Sequence, residues 1–380
     1  MCNLEAQIRT ITKLTYTMEM NNNNYCVILA GGKGKRLWPF SKENKPKQFI
    51  DFFGVGATQL QLTYKRFLKI VPKENIFVCT NKNYEDLVRE QLPDLSDNRL
   101  LVEPVQRNTA PSVAWAHARI RKINSEARVV VTPSDQLVLN EEAFVNDIIR
   151  GLEFVASHDV VLAMGVKPTR PEPGYGYIQL GEATEIEGVY SVQSFTEKPE
   201  REFAQMFLES GEFYWNTGLF LANIGHLNKR MDIMLPEVLR NLEKEKKDYS
   251  IEDELAFIQE NYPSYPNLSI DYGVMDHKED VCVMICDFGW ADLGTWHSIY
   301  ECGQVKGQDN VVVDSNVILE HCHGNVIKLP KGKLGIINGL EGFIVAEKDN
   351  VLLICPKEDS SALVRKYVNE VQIRWGEEFC

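Results

Sequence analysis

The sequence contains no CxxC pair, no run of 18 apolar residues and no apolar core near its start of the kind a secretion signal carries. The first absence leaves nine scattered cysteines, an odd number, which read as reduced thiols of a cytosolic protein rather than as a disulfide framework. Cys282 and Cys286 fall in an apolar stretch that reads as a strand. His321, Cys322 and His323 read as a strand and its turn, because no second cluster stands at zinc spacing. The other two absences support neither a membrane partner nor export, so a cytoplasmic location is expected. Positive charge is also short. The 41 Lys and Arg against 54 Asp and Glu leave a net −13, which argues against a nucleic-acid partner, since binding one requires a basic surface. Small anionic substrates are not excluded, because a few placed cations can dominate one cleft.

What is present is a globular chain of 380 residues, 44% hydrophobic and 25% charged, long enough for one large α/β domain and an appendage. Residues 1–24 carry no capping signal or strong amphipathic pattern, end in the polar tract Asn21 to Asn24, and are expected to be a disordered extension. Residues 25–30 form an apolar run ending in glycines, as a buried parallel strand does before a ligand-facing loop. Helical patterning follows at 58–71, 84–92 and 110–124, interleaved with strands at 75–79, 100–102 and 128–132. Alternation at roughly 30 residues per unit is that of βαβ crossovers, so residues 25–306 are expected to form an α/β domain with a Rossmann-like, doubly wound sheet. The middle adds a strand at 160–165 and helices at 200–210 and 235–247, the last running into charges. From 307 to 380 the rhythm changes. Six short β-rich pieces separated by Asn, Gly, Asp and Lys turns precede an amphipathic helix at 359–374, which suggests a small β-helix-like domain.

The stretch Ala30-Gly31-Gly32-Lys33-Gly34-Lys35-Arg36-Leu37-Trp38-Pro39 carries the most information. It follows a strand, so its backbone N–H groups can converge on an anion. It is not a Walker A loop, because Arg36 follows Gly34-Lys35 and Leu29 occupies the earlier glycine place. Nor is it a dinucleotide fingerprint, because Leu37 stands where a third small residue belongs and Trp38-Pro39 blocks immediate helix entry. It reads as a wide glycine turn armed with Lys33, Lys35 and Arg36, with Lys47 of Pro46-Lys47-Gln48 as a further point charge.

This loop, with Pro46-Lys47-Gln48, resembles the signature of sugar-phosphate nucleotidyltransferases, and its Leu-Trp-Pro ending resembles the mannose-1-phosphate guanylyltransferase branch. Further stretches match that family in its order. They are Glu103-Pro104-Val105-Gln106-Arg107-Asn108-Thr109-Ala110-Pro111, Pro133-Ser134-Asp135-Gln136, Gly174-Tyr175-Gly176-Tyr177-Ile178, Phe195-Thr196-Glu197-Lys198-Pro199, Trp215-Asn216-Thr217-Gly218 and Trp290-Ala291-Asp292-Leu293-Gly294-Thr295-Trp296. The resemblance implies a mixed sheet, the nucleotide-diphospho-sugar transferase fold, and a left-handed β-helix for the tail. It implies GTP and mannose 1-phosphate as substrates, GDP-mannose and pyrophosphate as products, Mg²⁺ as cofactor and a homodimer as the assembly. Two departures are mild: Asp276-His277 replaces the usual Glu and basic residue, and Lys35 stands where Thr or Ser is common.

Residue roles follow from the same resemblance. Asp135 and Asp292 are the expected Mg²⁺ ligands. Arg36 is expected on the β- and γ-phosphates, and Lys47 at the α-phosphate. Leu29, Ala30, Gly31, Gly32, Gly34, Lys35 and Ser134 line the nucleotide, with Gln106, Arg107, Asn108 and Thr109 at the edge of the base. Gly176, Glu197, Lys198 and Asn216 are expected on the sugar phosphate, whereas Tyr175 and Tyr177 read equally as packing or as a pocket wall. Two alternatives stand beside this reading: transfer to a heptose, fucose or glucose 1-phosphate, and a non-catalytic regulatory paralogue. The second would be expected to lose the cations or carboxylates, and this chain keeps Arg36, Lys47, Asp135, Lys198 and Asp292.

Overall fold

The computed structural model describes residues 21–243, 250–275, 278–304 and 308–380. Residues 1–20, the end of the charge run after position 243, Asp276-His277 and the boundary near 307 lie outside the described residues. The tract Asn21 to Asn24, assigned above to a disordered extension, is instead tied into the sheet. Asn24 opens the first strand, and the Asn75 side chain donates to the carbonyls of Asn22 (2.8 Å) and Asn24 (3.0 Å).

A nine-stranded mixed sheet organises the chain before the tail. Its strands are β1 (Asn24–Leu29), β2 (Ile76–Asn81), β3 (Leu100–Glu103), β4 (Arg128–Pro133), β6 (Val161–Val166), β7 (Gly176–Ala183), β8 (Val189–Glu197), β9 (Phe213–Asn223) and β10 (Val281–Cys286). They lie in the order β3-β2-β1-β4-β9-β6-β10-β8-β7. The first four run parallel, and β9 enters antiparallel between β4 and β6. Two short strands, β5 (Gln136–Val138) and β11 (Trp290–Asp292), pair antiparallel as a separate ribbon.

Alternate residues of each strand feed two cores. Tyr25, Val27, Val129 and Val131 meet helices α3 (Thr109–Ile123) and α6 (Ile224–Met234), while Cys26, Ile28 and Val130 meet α1 (Gln59–Phe67), α2 (Glu85–Gln91) and α4 (Glu141–Ser157). The remaining helices of this region are α5 (Arg201–Ser210), α7 (Pro236–Glu243), α8 (Ile251–Asn261), α9 (Ile270–Met275) and α10 (Trp296–Gly303). Burial of both sheet faces explains why these strands read as continuous apolar runs. Local chemistry sets where helices begin. Thr58 caps α1 through its hydroxyl, and Gln61 reaches back to the Thr58 amide at 3.0 Å. Helical patterning to residue 71 overshoots, because the chain leaves α1 at Phe67 through a tight turn.

The tail contains β12 (Val311–Val312), β13 (Asn316–Glu320), β14 (Val326–Lys328), β15 (Leu334–Asn338), β16 (Phe343–Lys348) and β17 (Val351–Pro356). Strands β12, β14 and β16 stack in parallel, β13 and β15 form a second parallel pair, and β17 closes antiparallel on β16. The terminal helix α11 (Ser360–Trp375) packs Val364 and Val368 into the same core as Leu37, Trp38, Phe40 and Phe52. The tail core is therefore continuous with the glycine-rich loop.

Candidate active site

The loop after β1 is held from beneath by its carbonyls. Gln48 donates to the carbonyls of Ala30 (3.1 Å) and Gly32 (2.7 Å), Thr80 to Ala30 (3.2 Å), and Asn81 and Gln106 to Gly31 (3.2 and 3.3 Å). The amides of Gly31, Gly32, Lys33 and Gly34 donate to no described protein group, which leaves four donors for an anion. Gly34 sits at φ 58°, and a Cβ there would lie 2.8 Å from the Ser41 hydroxyl and 3.0 Å from the Lys47 Cγ. Glycine is thus required for both the left-handed turn and the approach of Lys47. A single turn at Lys35–Leu37 replaces an immediate helix.

Charge on the loop is divided. Lys33 and Lys35, expected to face phosphate, both pair with Glu43 at 2.5 and 3.0 Å, and their hydrogen bonds hold the Glu43 carboxyl below its ordinary range. An acid on the returning arm thus shares two of the three loop cations and lowers the net positive charge of the loop. Arg36 takes the other direction. Its guanidinium and the Asp292 carboxylate both crowd Gly294, where an added Cβ would lie 2.9 Å from Arg36 Nη2 and 2.7 Å from Asp292 Oδ2.

Lys47 is the hub. It is 7% exposed, and its ammonium lies 2.9 Å from Asp135 Oδ2 and 3.1 Å from Asp292 Oδ1. Burial pulls its pKa down, but the attraction of Asp135 and Asp292 outweighs that and the net shift is upward. Burial likewise raises Asp292, yet Lys47 and Arg36, with Lys198 further off, bring it below its usual value. The β5–β11 ribbon creates this juxtaposition: Asp292 pairs with Gln136, the residue that follows Asp135. Ser134 supports the corner by donating its amide to the Leu29 carbonyl (3.1 Å) and accepting from the Thr63 hydroxyl at its own carbonyl (3.2 Å).

A second cluster forms where β7, β8 and β9 meet. A Cβ on Gly176 would come within 2.4 Å of Glu197 Oε2, so glycine there makes room for that carboxylate. Glu197 is ion-paired with Lys198, and burial, partly offset by that lysine, raises its pKa. Asn216 is fully engaged, donating to Asp271 Oδ1 (3.0 Å) and accepting from the Gly218 amide (3.0 Å). Asp271, which sequence reasoning gave no role, is thereby tied to the expected sugar-phosphate residue Asn216, and only the pairing of distant segments reveals it. Tyr175 and Tyr177 are buried packing residues: Tyr175 wedges against Trp215 and Trp290, and the Tyr177 hydroxyl accepts from the Glu172 amide (2.9 Å).

The expected base-edge residues separate. Gln106 is exposed and reaches the loop through its bond to Gly31, and Asn108 is exposed at the start of α3, where its side chain accepts from the Thr109 amide (3.0 Å). Arg107 instead donates to the Pro263 carbonyl, and the Thr109 hydroxyl accepts from the Ile270 amide (2.9 Å), so both are committed to the 262–270 segment. Among the described residues no group of three or more His, Cys, Asp or Glu gathers as a metal site. The pair Asp135 and Asp292 nevertheless converges on one cation, Lys47, and offers hard oxygen donors that suit a divalent ion shared with phosphate oxygens. No helix among the described residues is long and apolar enough to cross a membrane.

The nucleotidyl transferase family model matches residues 25–308. A mannose-1-phosphate guanylyltransferase of Escherichia coli is 30% identical over 355 residues, covering 91% of this chain and 75% of its own. Mannose-1-phosphate guanylyltransferase RfbM of Salmonella typhimurium is 33% identical over 350 residues, covering 90% and 71%. The solved structure of a Thermus thermophilus protein described as a mannose-1-phosphate geranyltransferase superposes with a TM-score of 0.80 at 31% identity, covering 92% of this chain and 99% of that one. Matched by the family model over more than half of its length and by relatives at 30% and 33% identity, the chain belongs to the nucleotidyl transferase family.

Proposed function

We propose that the protein transfers GMP from GTP to α-D-mannose 1-phosphate, releasing GDP-mannose and pyrophosphate. The observation that carries this reading is the contact of Lys47 with both Asp135 and Asp292 beside a loop of free amides. A sugar-phosphate oxygen attacks the α-phosphorus in line. One P–O bond forms, the α–β bridging P–O bond breaks, and its electron pair leaves with pyrophosphate. The attacking oxygen is already anionic at neutral pH, so no general base is needed. The task is to hold two polyanions in register and to neutralise charge on the leaving group.

Each residue then has a defined duty. The loop amides and Arg36 grip the β- and γ-phosphates, and Lys47 offsets charge at the α-phosphoryl group. Lys198 holds the incoming phosphate, while Glu197, set beside Gly176, accepts hydrogen bonds from sugar hydroxyls. Asp135 and Asp292 would hold Mg²⁺, which supplies charge neutralisation on the phosphate oxygens. The same reading takes the parallel rungs of the tail for a short β-helix, a second copy of the chain as partner, and the cytoplasm as location.

The test is incubation of purified protein with GTP, Mg²⁺ and a panel of hexose 1-phosphates, following pyrophosphate release. Mannose 1-phosphate should give the highest kcat/KM. Faster release with another sugar would reassign the acceptor, and no release with any would refute the activity.

A further inference from the structure

A cavity of about 170 Å³ lies between α1 and the β5–β11 ribbon. Its walls are mostly apolar, supplied by Leu62 of α1, Leu137 and Val138 of β5, and Leu293 just past β11. Two polar side chains in its lining are anomalous. Arg66 is 7% exposed, yet its side chain makes no hydrogen bond or ion pair with any described residue, and its Nε has no partner. Its guanidinium rests over the Phe144 ring at 5.3 Å. Gln59 is 4% exposed, and neither its amide nitrogen nor its amide oxygen is satisfied. The carboxylate in the same wall, Glu141, is taken by Lys69 at 3.2 Å, and Lys65 adds an exposed positive charge.

An interior rarely leaves a guanidinium Nε and both ends of an amide unsatisfied together, because each of these atoms forfeits its hydration without return. Burial lowers the Arg66 pKa to about 10, against the pull of Glu141, and the group still carries its charge at neutral pH. None of these residues belongs to the cluster around Lys47. We propose that the cavity binds a small molecule with an apolar body and one oxyanion group, seated by the Arg66 guanidinium and the Gln59 amide. Guanidinium suits both phosphate and carboxylate through paired hydrogen bonds. Such a ligand touches Gln136 and Leu293, the immediate neighbours of Asp135 and Asp292. It is therefore positioned to act as an effector of the cleft, a coupling that rests on the reaction proposed above, whereas binding itself does not.

Phenyl phosphate and benzoate are suitable probes, titrated calorimetrically into Arg36→Ala protein so that the loop's own anion grip is weakened. At least one should bind with a stoichiometry of one. Preference for the phosphate or the carboxylate identifies which class of metabolite the site takes. Affinity should fall at least tenfold in Arg36→Ala/Arg66→Met and in Arg36→Ala/Leu62→Trp, the latter filling the cavity while keeping its charge. Binding that persists in the Leu62→Trp protein, or no binding of either probe to the parent, would overturn the proposal.

Discussion

Replacing Lys47 with methionine keeps the side-chain bulk and removes the charge that holds Asp135 and Asp292 together. Deleting one partner of a fully buried ion pair costs about 3–5 kcal/mol. The two carboxylates here keep 22% and 27% of their exposure, so water screens part of the loss and about 2–3 kcal/mol is expected. For a chain of this size that lowers the melting temperature by roughly 3 °C. The deficit should depend on pH with a defined sign. Asp292 is depressed in the folded protein, so its contribution is present above the ordinary carboxylate pKa and is lost as pH falls through the folded value. Lys47 is raised, so its contribution is present below the ordinary lysine pKa and is lost as pH rises through the folded value. The difference between wild type and variant should therefore be flat from roughly pH 5 to 10 and should shrink outside that window. Thermal melts across roughly pH 3.5–11 measure it, and turnover should fall by about 10²–10³-fold. A difference that stays constant into acid, or a variant with normal turnover, would refute the assignment of Lys47 as the electrostatic hub.

Arg36→Ala should lower kcat by about 10²–10³-fold with only a small fall in melting temperature, since the half-buried Arg36 stabilises the fold chiefly through its attraction for Asp292; a normal kcat removes it from the mechanism. Asp292→Asn should cut turnover by at least about 100-fold and flatten the response to added Mg²⁺; an unchanged Mg²⁺ titration curve counts against a ligand role. Gly176→Ala places a Cβ 2.4 Å from Glu197 Oε2, so the KM for sugar phosphate should rise while GTP affinity, read by calorimetry, stays put. Trp38→Phe deletes the bond from its indole N–H to the Phe379 carbonyl (2.7 Å) and should cost about 1 kcal/mol in denaturant unfolding, together with faster carboxypeptidase trimming of the C-terminus. Equal trimming rates would show that this bond does not hold the terminus.

The strands of the parallel half and the glycine loop were legible in sequence because each is encoded by neighbours: an apolar run, then glycines, then basic residues. Contacts set by distant register were not. Asp135 announces itself by closing a strand, but its meeting with Asp292 depends on the β5–β11 pairing, which joins segments more than 150 residues apart. Charge counting identified the cations of the loop and could not tell that Glu43 claims Lys33 and Lys35. Arg107 and Thr109 looked equivalent to Gln106 and Asn108 in their motif, yet tertiary packing on the 262–270 segment commits the first two and leaves the others exposed. In the tail the short β pieces were readable singly. Stacking was suggested by their rhythm, but which rung pairs with which was not legible, because each is only two to six residues long and pairs with a rung of similar composition.

The position of the tail bears on catalysis through the loop it touches. Trp38, two residues after Arg36, donates to Phe379 and accepts at its carbonyl from the Trp296 indole (3.1 Å). Trp296 in turn packs edge-on against Phe40 and Phe52, and Lys348 of β16 donates to the Phe40 carbonyl at 3.3 Å. Trp296 also opens α10, the helix that follows Asp292 and Gly294. One hydrophobic cluster thus contains Leu37 and Trp38 beside Arg36, Leu293 beside Asp292, and Val311, Ile344 and Val364 of the tail. The backbone that carries Arg36 and Asp292 is therefore anchored by residues packed in the same core as the tail. Without the tail, Trp38 would lose its bond to Phe379, and Leu37 and Trp38 would lose the apolar cover of Ile344 and Val364.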